Sequence, residues 1–241
     1  MADPARAFDH GPAVRQHSAV VRVTHWVTTL CFFALLLSGV EILISHPRFY
    51  WGEAGNVLTP PLFTIPIPAS RSSVPTGYGY VLPDQNGWSR YLHFQSAWFL
   101  VFAGALYAAW GLFAGHFRRN LVPARVSWGE VSKVLADHLR FRHPGEDYNI
   151  LQRAAYLFVI FALFPLVIWT GLAMSPAIAS AVPGVVSVLG GQQSARTIHF
   201  LVSIALVVFL VVHVVMVCVA GFRTRTLAMI TGHAGARKER L

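Results

Sequence analysis

Four histidines lie within long apolar stretches of the chain: His25, His93, His199 and His213. His199 and His213 share one stretch and stand fourteen residues apart. On an α-helix, fourteen steps of about 100° return to within about 40° of the starting face and advance about 21 Å. One helix therefore offers two imidazoles on one side at two depths. A histidine in lipid is costly without a partner and marks a functional site by default. Two imidazoles facing each other across a helix bundle suit a bis-histidine haem, whose iron takes one axial nitrogen from each side. Zinc suits the pattern poorly, because it prefers tetrahedral sites with three or four protein ligands.

The elements that must carry these residues are membrane spans. The chain is 55% hydrophobic and 12% charged, against about 25% charged in an average soluble domain. Apolar stretches at about 20–44, 91–115, 151–174 and 196–221 each reach the roughly 20 residues that cross a bilayer. The expected fold class is an all-α membrane protein, a four-transmembrane-helix bundle with haems between the helices. Residues 1–19 read as an N-terminal tail, 20–222 as the bundle, and 223–241 as a basic tail, disordered beyond about Gly232.

Charge sets the orientation. Fifteen of the nineteen Lys and Arg residues precede span one, join spans two and three, open span three or follow span four; Arg48, Arg71, Arg90 and Arg196 are the rest. This is a positive-inside pattern with both termini cytoplasmic. The net charge of +9 is thus a topology signal and a contact for anionic lipid, not a nucleic-acid footprint. No cleavable signal peptide is evident. Cys31 and Cys218 both lie inside expected spans, so they provide no disulfide framework.

With this orientation the histidines sort by depth. Span one runs outward, which puts His25 near the cytoplasmic face, and His213 lies towards the same side. Spans two and four run inward, which puts His93 and His199 near the outer face. The expected pairs are His93 with His199 and His25 with His213, holding two haem irons at two depths. Arg22, Arg90 and Arg196 each precede a histidine by three residues, and positions i and i−3 share a helix face. Guanidinium matches carboxylate in a bidentate way. All three arginines are therefore candidates for the haem propionates, with interfacial snorkelling as the plainer use.

Asn149, Gln152 and Arg153 open span three at the cytoplasmic edge. Asn149 and Gln152 share a face and could bond the carbonyls of a quinone headgroup; helix capping by Asn149 explains the same residues equally well. Glu41, at the outer end of span one, either influences the outer haem or is a solvated interfacial carboxylate. Pro165 should kink span three, and 127–139 has the pattern of an amphipathic surface helix. The outer connection 45–90 holds seven prolines together with Tyr50, Trp51, Tyr78, Tyr80 and Trp88. Loops this long are usually functional or disordered, and its aromatic content points to a docking surface for another protein rather than a self-packed cap.

These features resemble the di-haem b-type cytochrome membrane subunits of bacterial respiratory complexes, such as those of formate dehydrogenase and nickel–iron hydrogenase. The resemblance covers about residues 18–222. It is carried by Arg22-x-x-His25-Trp26, Arg90-x-x-His93-Phe94, Asn149-x-x-Gln152-Arg153, Thr170-Gly171-Leu172, and His199 with His213. It implies four helices, two haems b and exchange with quinone, and it favours the quinone role for Asn149, Gln152 and Arg153. The run His46-Pro47-Arg48-Phe49-Tyr50-Trp51-Gly52 is similar to the branch paired with periplasmic molybdenum-cofactor oxidoreductases.

The expected protein is a multi-pass electron-transfer subunit of the bacterial inner membrane. It would carry electrons between a periplasmic redox subunit and membrane quinone. A free-standing quinone-linked di-haem oxidoreductase, such as a superoxide oxidase, is the alternative with the same architecture. A non-haem transporter with proton-relaying histidines is the alternative from another class, and it predicts no Soret absorption.

Overall fold

The computed structural model describes residues 17–56, 58–67, 86–117 and 154–233. Asn149, Gln152, Arg153, the segment 127–139 and the loop residues 68–85 lie outside this set.

Four long apolar helices dominate: α1 (Ala19–Ser45), α2 (Asn86–Phe113), α3 (Ala154–Ala173) and α6 (Gln192–Val219). Helix α1 begins where the Ser18 hydroxyl accepts the Val21 amide at 3.3 Å, which satisfies one of the free donors of the first turn. Its 27 residues rise about 40 Å, enough to cross a hydrocarbon core of about 30 Å. Helices α2 and α6 start a few residues before the apolar runs do, because their polar first turns are helical as well.

Burial is inverted relative to a water-soluble bundle. Leu30, Phe33, Leu37, Phe99, Phe102, Leu106, Val208 and Val211 face outward, while Thr24, Ser38, Ser96, Thr170 and Thr197 are buried. Lipid gives apolar side chains no reason to turn inward, and small residues let helices approach closely. An apolar cluster of Val159, Leu163, Val202 and Leu206 joins α3 to α6.

The kink expected at Pro165 takes a particular form. A turn of π-helix spans Val159–Leu163, and the Phe164 amide bonds the Val159 carbonyl five residues back. Proline has no N–H, and its ring crowds the carbonyl four residues earlier. Widening the preceding turn accommodates both.

The spans form two hairpins: α1 packs along α2, and α3 packs along α6. Among the described residues, backbone contact between the two hairpins is sparse. The connection after α1 carries a short antiparallel ladder, β1 (Arg48–Phe49) with β2 (Phe63–Thr64), in the register Arg48↔Thr64. The connection after α3 contains two short helices, α4 (Pro176–Ala181) and α5 (Gly184–Ser187). The segment read as a basic tail begins with a further helix, α7 (Phe222–Thr231), folded back on the start of α1. There the His17 amide bonds the Gly232 carbonyl at 3.5 Å, and the Trp26 indole donates to the Met229 carbonyl at 3.3 Å. Both described ends of the chain therefore meet at one face of the bundle, the terminal face; the connections after α1 and α3 form the opposite, loop face.

Candidate functional site

At the loop face, His93 of α2 and His199 of α6 bring their rings to a centroid separation of 6.3 Å, with planes 61° apart. At the terminal face, His25 of α1 and His213 of α6 stand 6.4 Å apart, with planes at 52°. The structure thus joins the four histidines in the two pairs expected from depth. Two imidazoles sharing one metal along a straight axis, each nitrogen about 2 Å from it and each centroid about 1.2 Å behind its nitrogen, would lie about 6.4 Å apart. Both pairs have this separation. Among the described residues, no group of three or more His, Cys, Asp or Glu residues is arranged to hold a metal. Two imidazoles at this separation are the donor set a haem iron takes from a helix bundle.

The hydrogen bonds assign the loop-face tautomers. His199 Nδ1 lies 3.1 Å from the Val167 carbonyl and 3.0 Å from Thr170 Oγ1. A carbonyl can only accept, so Nδ1 carries the proton. The Thr170 hydroxyl donates to the Leu166 carbonyl at 2.8 Å, leaving its oxygen free to accept from the imidazole. His93 repeats the arrangement. Its Nδ1 is 3.0 Å from Ser38 Oγ, and the Ser38 hydroxyl donates to the Ala34 carbonyl at 2.7 Å. In both residues Nε2 is the bare nitrogen, the protonation state a metal ligand needs.

These contacts expose a repeat. Ser38-Gly39 on α1 serves His93 on α2, and Thr170-Gly171 on α3 serves His199 on α6. A Cβ at Gly39 would stand 3.7 Å from His93 Cε1, and one at Gly171 would stand 3.5 Å from His199 Cε1. Each histidine belongs to an Arg-x-x-His-Phe run, at 90–94 and 196–200. Thr170-Gly171 also carries part of the family resemblance. Ser38 stands 55 residues before His93 and Thr170 stands 29 before His199, so no constant spacing links the two dyads to their histidines.

The terminal-face pair is built differently. Nδ1 of His25 and of His213 is buried with no hydrogen-bond partner among the described residues. The Tyr156 ring meets His213 edge-on at 6.2 Å, and Phe209 stacks on it at 5.9 Å. Fourteen residues after His93, where α6 has His213, α2 has Tyr107.

The three arginines differ. Arg22 donates from its NH1 to the Ile230 carbonyl at 2.7 Å, while its Nε is buried with no partner among the described residues. Arg90 is exposed on the first turns of α2. Arg196 is engaged by protein: it donates to the Arg48 carbonyl, to the His46 carbonyl at 3.5 Å and to the Gln193 side chain at 3.2 Å. Its guanidinium also lies 5.2 Å from the Phe49 ring centroid.

Residues 46–56 form a cap over the start of α6. The Thr197 hydroxyl donates to the Tyr50 carbonyl at 2.7 Å, and the Gly52 amide to Ser194 Oγ at 2.8 Å. Tyr50 is 1% exposed. Phe49 stacks on Phe63 at 4.8 Å and meets Phe200 at 4.4 Å, next to His199. A Cβ at Gly191 would come within 2.5 Å of the Gly52 backbone, so this approach requires glycine. This part of the connection is self-packed, yet Trp51, Leu58 and Leu62 remain exposed. Burial holds the His46 imidazole below its usual range, with Arg196 and Arg90 adding to the effect against a backbone bond to Ile42. Glu41 Oε1 is buried with no partner among the described residues.

Comparison with known proteins agrees with this architecture. The family profile described as prokaryotic cytochrome b561 matches residues 16–232. A curated relative from Azospira oryzae, provisionally named protein-methionine-sulfoxide reductase subunit YedZ1, is 33% identical over 226 residues, covering 90% of this chain and 96% of the relative. No solved structure matches significantly.

Proposed function

The chain belongs to the prokaryotic cytochrome b561 family of multi-pass inner-membrane electron carriers, and we propose that this member holds two haems b linking membrane quinone to a periplasmic redox subunit. The observation that carries the reading is the pair of facing imidazoles at each face, 6.3 and 6.4 Å between centroids. His93 with His199 would bind one haem iron, and His25 with His213 the other. Haem supplies one-electron chemistry when bound; the protein supplies ligands, orientation and dielectric.

The excess of Lys and Arg on the terminal side supports a cytoplasmic position for that face. Arg22, whose Nε is buried with no partner among the described residues, is suited to a propionate of the cytoplasmic-side haem. Arg90 and Arg196 are the counterparts on the other side, Arg196 also anchoring the cap through the His46 and Arg48 carbonyls. Asn149, Gln152 and Arg153, which lie outside the described residues, are the residues proposed for the quinone headgroup from their place at the opening of span three.

The loop face receives the partner. Trp51, Leu58 and Leu62 are exposed there, around an open hollow of about 600 Å³ lined by Arg48, Leu58, Thr59, Pro60, Pro61 and Thr64. The name of the Azospira relative makes it a subunit of a protein-methionine-sulfoxide reductase. A periplasmic reductase of that class, with a molybdenum cofactor, is the partner proposed here. Electrons would then run from quinol at the terminal face to the loop face.

Anaerobic mixing of the purified chain with a reduced quinol analogue tests this. The reading expects both haems to become ferrous without any partner present. Bound haems that dithionite reduces and quinol does not would overturn the quinone link.

A further inference from the structure

Resting on the di-haem reading above, we infer that Ser38 and Thr170 are positioning residues that hold down the reduction potential of the haem between His93 and His199. Both side chains are completely buried. Each hydroxyl donates to a carbonyl of its own helix, Ser38 to Ala34 at 2.7 Å and Thr170 to Leu166 at 2.8 Å. Such back-bonding is common for Ser and Thr in apolar helices. Here it has a second consequence. With its proton committed, each oxygen presents only lone pairs to the imidazole Nδ1, 3.0 Å away in both hairpins. Two helices that each carry a hydroxyl residue followed by glycine arrive at the same imidazole nitrogen and the same distance.

An imidazole whose Nδ1–H is held by strong acceptors is a more basic ligand through Nε2, and a more basic ligand favours the ferric over the ferrous state. His199 has two such acceptors, Val167 O and Thr170 Oγ1; His93 has Ser38 Oγ. Nδ1 of His25 and of His213 has none among the described residues. Among the described residues, the control is seen at the His93–His199 site. A haem held at lower potential is the stronger donor once reduced, which suits the site nearest the exposed loop surface.

Redox titration of the detergent-purified, haem-loaded chain, followed at the haem absorption bands, tests this. One electron converts ferric to ferrous at each site, supplied by dithionite. Ser38→Ala and Thr170→Val should each raise the midpoint of one haem and leave the other in place. Loss of one such hydrogen bond shifts the ferric–ferrous equilibrium about fivefold, or about 40 mV at about 59 mV per factor of ten for a one-electron couple. Thr170→Ser keeps the hydroxyl and should keep the midpoint. In a His213→Ala background, which retains only the His93–His199 haem, the shift should persist and identifies the site. Should Thr170→Val fail to load haem, Ser38→Ala and the Thr170→Ser control carry the same comparison. Unmoved midpoints in a di-haem protein, or a shift in the other haem, would overturn this inference alone. A protein that takes up no haem overturns it together with the reading beneath it.

Discussion

The Arg22 guanidinium on the first turn of α1 donates to the Ile230 carbonyl at 2.7 Å, 208 residues further along the chain. Helix α7 thereby closes over the face where His25 and His213 meet. Gly232, which ends α7, has φ +87°, and a Cβ there would lie 3.2 Å from both Arg22 Cζ and the His17 carbonyl oxygen. Gly232→Ala should loosen this closure by about 1–2 kcal/mol from the left-handed backbone alone. Faster proteolytic removal of the C-terminal segment, with haem content unchanged, is the expected result.

The same contact should depend on pH through His17. Burial pushes its imidazole below the usual range, and Arg225 and then Arg22 add to the effect. An undocked segment would titrate near the ordinary value of about 6.5, so it binds more protons than the docked one as pH falls. Docking is then fully favoured above about pH 6.5 and weakens as pH drops through the lowered pKa of the docked state. Proteolysis of the C-terminal segment, normalised to a peptide substrate, should accelerate between pH 7.5 and about pH 5.5. His17→Gln should flatten that dependence.

Thr197 ties α6 to the loop-face cap through the Tyr50 carbonyl. Thr197→Val keeps the shape and strands a buried acceptor, a cost of about 1–3 kcal/mol. The cap should become protease-sensitive while both haems stay. Replacing Trp51, Leu58 and Leu62 together by Ser should leave the cap's hydrogen bonds intact and abolish co-purification of the periplasmic subunit. Unchanged co-purification would move the docking surface elsewhere, for example to 175–195.

Asn149→Leu removes an amide while keeping its approximate volume. Loss of one hydrogen bond to a quinone carbonyl, about 1 kcal/mol or more, should weaken quinol binding about five- to tenfold. Both haems should remain reducible by dithionite. Reduced haem content with unaltered quinol kinetics would make Asn149 a helix cap and misplace the pocket.

The spans were legible because lipid demands about 20 consecutive apolar residues, a constraint that composition alone satisfies. The meeting of His93 with His199 and of His25 with His213 followed from alternating helix direction and depth. The bonds from Ser38 and Thr170 were not legible, since a small hydroxyl in a span serves helix packing equally well. Arg196 shows another limit. Its spacing from His199 suggests a propionate partner; that the His46 and Arg48 carbonyls also accept from its guanidinium depends on the path of residues 46–49, which is set by tertiary contact. Pro165 announced a bend without revealing that a π-turn absorbs it. Helix α7 read as tail because its mean hydropathy carries no span signal and its partners lie at the other end of the chain.

The haem stoichiometry of histidine variants tests the central claim most directly. A pyridine haemochrome assay on the purified chain should give two haems b. His199→Ala and His213→Ala should each give one, and the His25→Ala/His199→Ala double variant none. A value near zero for the unaltered chain under ample haem supply, or two haems retained in His199→Ala, would contradict the account.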